Sequence, residues 1–67
     1  MKIIVLHDRY SNEPIIIRVD AITVIRKMID VGEEEYSTVN VSEIFFDVKE
    51  HIDVIMAKIN NVEREHK

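Results

Sequence analysis

Apolar residues fall in short dense runs through the first half of the chain and in a spaced, helical stripe near its end. Residues 2–7 (KIIVLH) are almost wholly apolar, 8–13 (DRYSNE) are polar and rich in turn formers, and Pro14 sets up a second apolar run over 15–19. That spacing predicts two strands joined by a six-residue loop. Strand side chains alternate between faces, so the contiguous apolar residues 3–6 and 15–17 put apolar groups on both sides of the hairpin. Ile3, Val5, Ile15 and Ile17 are expected to share one face, and Ile4, Leu6 and Ile16 the other. A single helix covers only one of them.

Residues 20–31 carry two conflicting patterns. Thr23, Arg26, Lys27 and Asp30 recur at helical spacing, with Asp20 placed as an N-cap and Gly32 as a stop. Yet Ile22, Thr23, Val24, Ile25 and Ile29 are branched at Cβ and lose rotamer freedom in a helix. We read the segment as a strand, followed by an acidic turn over 31–35 and a returning strand over 36–41 (YSTVNV). In that strand Thr38 and Asn40 face one side, Val39 and Val41 the other. Ser42 and Glu43 make a tight connection without the Asn-Gly pair of a primed turn. Residues 44–48 form a fifth strand, with Phe45 opposed to Ile44 and Phe46.

The last segment is an amphipathic helix of about four turns, running from Glu50 to Val62. Ile52, Ile55, Met56, Ile59 and Val62 form its apolar stripe, leaving Asp53, Lys58, Asn60, Asn61 and Glu63 outward. Glu50 and Asp53 complement the dipole at its start, and Arg64 and Lys67 at its end. Residues 63–67 are wholly polar and are expected to fray.

Composition supports the β-rich reading. Twenty-one of the 67 residues are Ile or Val, against the single Leu6. Such side chains suit a pleated surface, whereas helical cores lean on Leu. The expected fold is therefore α+β: a small antiparallel sheet of four to five strands, hairpin plus meander, packed with one C-terminal helix in a single domain. A domain this small buries only about 60% of its unfolded-chain surface and is marginal without staples or partners. With no Cys there is no disulfide and no thiolate zinc site, which leaves oligomerisation. The N-terminal apolar run is far short of a signal peptide or membrane span, so a soluble, cytoplasmic protein is expected.

Residues 17–22 (IRVDAI), 36–41 (YSTVNV) and 46–50 (FDVKE), the last leading into an Ile/Val-striped helix, resemble the small FlbD-like proteins associated with bacterial flagella and swarming. That family runs a β-hairpin, an N-x-x-x-I segment, a further β-hairpin and a V-K-E-S strand end into the C-terminal helix. Val48, Lys49 and Glu50 carry the match. Ser42 and Glu43 stand where the family tends to carry Asn-Gly, and His51 replaces the small polar residue after Lys-Glu. The resemblance implies a strand over 22–29 and brings no catalytic residues.

Individual residues offer little chemistry. His7 and Asp8 are adjacent on a strand and point to opposite faces, so they form no acid–base dyad. His51 diverges from Glu50 by about 100° on a helix, and a closed zinc site needs about four converging ligands. His66 sits in the polar tail and has no role. Asp30, Glu33, Glu34 and Glu35 mark a solvated hairpin tip, because a Ca²⁺ loop needs alternating ligands around a Gly and Gly32 precedes the Glu run. Arg18, Arg26 and Lys27 are too few for a nucleic-acid surface, and Tyr10 and Tyr36 read as packing residues. One glycine excludes the familiar phosphate cradles, and no Ser stands in a nucleophile elbow. No catalytic, cofactor-binding or metal-binding residues are expected, and no enzyme.

The expected function is that of a non-enzymatic interaction module, a homo-oligomer with a dimer favoured, which binds itself or another protein. The alternative is a small nucleic-acid-binding regulator, since compact β-rich folds bind single strands. The net charge of −4 and the lack of a basic, aromatic face count against it.

Overall fold

The computed structural model describes residues 2–64 and places five strands before one helix: β1 (Ile3–His7), β2 (Pro14–Arg18), β3 (Ile22–Ile29), β4 (Glu35–Val41), β5 (Ile44–Val48) and α1 (Ile52–Arg64). A single 3₁₀ turn (Val19–Ala21) links β2 to β3. The segment 22–29 is a strand. Its β-branched content prevails over the helical spacing of its polar residues, which is what pairing along its length to β4 favours.

The strands form two antiparallel sheets, β1–β2 and β3–β4–β5, where one sheet was expected. The two meet at one bridge, Asp8 opposite Val48, flanked by Arg9 N–H to Asp47 O (2.9 Å) and Lys49 N–H to His7 O (3.0 Å). The ladder between β1 and β5 stops there because the chain leaves β5 after Val48 and turns into α1. A strand that departs has no backbone left to pair.

The hairpin register also corrects the expected faces. Ile4 pairs with Ile17 and Leu6 with Ile15, so these four share the inner face, while Ile3, Val5 and Ile16 share the outer one. Residues directly opposite in a ladder lie on the same side. The loop length therefore joins the even positions of β1 to the odd positions of β2.

The core consists of Ile4, Leu6, Ile17, Val39, Val48 and Ile55, with Ile15, Val19, Ile22, Ile25, Val41, Phe46, Ile59 and Val62 packed against it. Both sheets and the helix contribute. Of the helical stripe, Ile55 is fully buried and Ile52, Ile59 and Val62 half-buried, while Met56 lies exposed at its margin. The helix continues two residues past Val62 to Arg64, and Glu63 pairs with Lys2 at 2.8 Å. Residues 65–67, including His66 and Lys67, lie outside the described residues.

Three connections use left-handed backbone, the β1–β2 loop among them at Asn12 (φ 64°). Ser42 (φ 51°) and Glu43 (φ 71°) both adopt the left-handed conformation of a two-residue primed turn between the paired Val41 and Ile44. Asn40 Oδ1 supports it by accepting from Glu43 N–H (3.2 Å) and Thr23 Oγ1 (2.9 Å). In the β3–β4 turn the positive φ falls on Glu33 (66°), not on Gly32.

Candidate functional site

The strand end of β1 and the entry to α1 bring His7 and Glu50 together. Glu50 Oε1 accepts the His7 backbone N–H (2.9 Å), and Oε2 lies 2.6 Å from His7 Nδ1. A continued β1–β5 ladder would send that N–H to a strand carbonyl; the Glu50 side chain takes the carbonyl's place. An ionised carboxylate only accepts, so Nδ1 carries the shared proton. Glu50 is held in turn by Ser37, whose fully buried hydroxyl donates to the Glu50 carbonyl at 2.7 Å. Burial pushes the Glu50 carboxyl up, but the His7 ring and backbone N–H outweigh it and hold the group below the usual carboxylate value.

This pair borders an open groove of about 560 Å³ lined by His7, Asn12, Lys49, Glu50, His51 and Val54. Lys49 Nζ donates to Asn12 Oδ1 (2.6 Å), and His51 Nδ1 stands 3.9 Å from Glu35 Oε2. Further along β1 a smaller depression of about 210 Å³ lies between Ile3 and Val5 and the Lys58, Asn61 and Val62 flank of α1. Within the groove both Glu50 oxygens are engaged by His7. The chemistry the pair performs on the fold is to close the end of a strand.

Arg9 makes the second tertiary link, and nothing in the sequence singled it out. Its guanidinium lies 3.9 Å from the Tyr36 ring centroid and 5.2 Å from that of Tyr10. It donates to the Tyr10 hydroxyl (3.0 Å) and pairs with Asp30. The β1–β2 loop is thereby clamped to the β3–β4 turn. Asp30 also accepts from Gly32 and Glu34 N–H, each at 2.9 Å, so one residue of the acidic cluster organises the turn. The Glu34 N–H bond chiefly, with Arg9 and Gly32 acting against burial, keeps the Asp30 carboxyl below its ordinary value. Asp8 likewise caps its own loop, accepting from Ser11 N–H (2.9 Å) and Tyr10 N–H (3.0 Å), and these bonds lower its pKa.

The other residues weighed from sequence do not converge. Arg18 pairs with Asp20 at 3.3 Å, while Arg26 and Lys27 are neighbours on β3 and point to opposite faces. Tyr10 and Tyr36 both lie against Arg9 rather than standing alone. Among the described residues, no group of three or more His, Cys, Asp or Glu side chains could hold a metal ion, and no helix is long and apolar enough to cross a membrane.

The larger unsatisfied feature is apolar. On the outer face of the hairpin Ile16 is 70% exposed, Ile3 42% and Val5 37%. Phe45, on the far side of the three-stranded sheet, is 63% exposed. No family model, curated protein or solved structure matches this chain.

Proposed function

We propose that the protein is a non-enzymatic interaction module that works as a homo-oligomer, with a dimer as its basic unit. The exposed outer face of the β1–β2 hairpin carries this reading. Ile3, Val5 and Ile16 are adjacent across the two strands and remain exposed, Ile16 most of all. Fully burying one such side chain is worth about 1.5–3 kcal/mol. For a chain this small, that gain is comparable with a large share of its net stability. Exposed patches of this kind mark interfaces.

The FlbD-like resemblance of residues 17–22, 36–41 and 46–50 fits the same reading, and a role beside flagella or swarming in the cytoplasm belongs to the proposal. Light scattering after size exclusion, over a salt series with and without RNA, tests it. A mass twice that of the 7.9 kDa chain, unchanged by RNA, is the expected result. A monomer at high micromolar concentration, or a mass that rises only with RNA at low salt, overturns it.

A further inference from the structure

We infer that the free edge of β2 pairs antiparallel with the β2 edge of a second copy, about a two-fold axis at Ile16. The inference rests on the self-association proposed above and assigns its interface.

The hydrogen bonds of the hairpin set the phase of that edge. Asp8 N–H donates to Glu13 O (2.8 Å) and Val19 N–H to Lys2 O (3.0 Å), in the same register as the paired strands. Hydrogen-bonded pairs recur at every second residue of an antiparallel ladder. Residues 13, 15, 17 and 19 therefore turn their backbone groups toward β1, and Pro14, Ile16 and Arg18 turn theirs outward. No strand lies beyond β2 among the described residues.

This edge is complementary to itself. With Ile16 opposite Ile16 of the second copy, each donates its N–H to the other's carbonyl. Arg18 then stands opposite Pro14 of the second copy and donates to its carbonyl. Proline has no N–H to return, so its missing donor falls at the end of the ladder, where the Arg18 carbonyl stays open to water. No like charges meet at the axis, because Arg18 faces the uncharged Pro14 of the second copy. On the outer face the pairing extends the apolar row: Ile16, which stands opposite Val5 within the chain, meets Ile16 of the second copy.

The opposite edge of the molecule is guarded. In β3 the Asp30 N–H to Glu34 O bond (3.1 Å) sets the phase, so Ile25, Lys27 and Ile29 turn outward. Self-pairing centred on Lys27 sets like charges together, and centring on Ile25 runs into the bulge between Ile22 and Val24. Charges and bulges are the devices that keep edges single.

Amide hydrogen exchange on the full chain tests the edge directly. The Ile16 and Arg18 amides should slow as concentration rises, while the outward Lys27 amide on β3 should not change. The chain has no Cys, so Ile16→Cys provides one thiol per copy, and a short bis-maleimide should link two copies. Ile16→Lys should stay folded by circular dichroism and weaken the dimer by about tenfold or more. Val24→Lys should leave it intact. A dimer whose Ile16 and Arg18 amides exchange freely at every concentration overturns this edge and leaves self-association standing. A monomeric wild-type chain overturns both. If Ile16→Lys does not fold, the exchange pattern of the unaltered chain decides.

Discussion

Glu50 holds both the backbone N–H and the ring Nδ1 of His7, a residue 43 positions away, and so caps the end of β1 with a side chain where β5 has turned off. Removing the carboxylate leaves a half-buried N–H without its partner. Glu50→Ala should therefore cost about 1–3 kcal/mol in chemical denaturation. Glu50→Gln retains an acceptor and should lose less. Equal losses for the two would show that the hydrogen bonds to His7 contribute nothing.

The same carboxylate sets a direction for pH. Glu50, Asp8 and Asp30 are all held below their ordinary values: burial opposes this at Glu50 and is outweighed by His7, while backbone N–H groups of Ser11 and Glu34 lead at the two aspartates. A depressed folded pKa means the unfolded chain binds protons first on acidification. The stability is thus complete above the unfolded values, about 4, and is lost as pH falls through the lower folded ones. Denaturation midpoints should be level from neutral pH to about 5 and fall below about 4. Glu50→Gln should start lower at neutral pH and fall less steeply. A midpoint that rises on acidification would contradict the assignment.

In the helix, Ile55 is fully buried and Asp53 exposed. Ile55→Ala should cost roughly 2–5 kcal/mol, enough to unfold a domain of this size. Asp53→Ala should stay within about 0.5 kcal/mol of the parent. Thermal melts of the two variants check the helix face, and similar shifts would place the wrong side against the sheets.

The β4–β5 turn contains avoidable strain. Ser42 and Glu43 both hold positive φ, which disfavours residues with a Cβ. Ser42→Asn with Glu43→Gly supplies the pair that this turn prefers and should raise stability by on the order of 1 kcal/mol. No gain, with Val41 and Ile44 still paired by backbone amide exchange, would mean the turn is not strained.

Local chemistry alone determined the five strands and the helix. β-branching, turn residues and the apolar stripe from Ile52 to Val62 act over a few residues, and the order of elements follows from them. The two-residue turn at Ser42 and Glu43 and the opposed Phe45 were legible for the same reason. Only the tertiary structure decided which apolar residues face inward, because one step in the 8–13 loop exchanges the faces of β2, and sequence does not count that step. It also decided that the strands part into two sheets, since that depends on where the chain turns out of β5. His7 with Glu50, and Arg9 with Tyr36 and Asp30, were not legible for a related reason. Each joins segments far apart along the chain, and their meeting is set by how the sheets and helix pack, not by any spacing a single sequence displays.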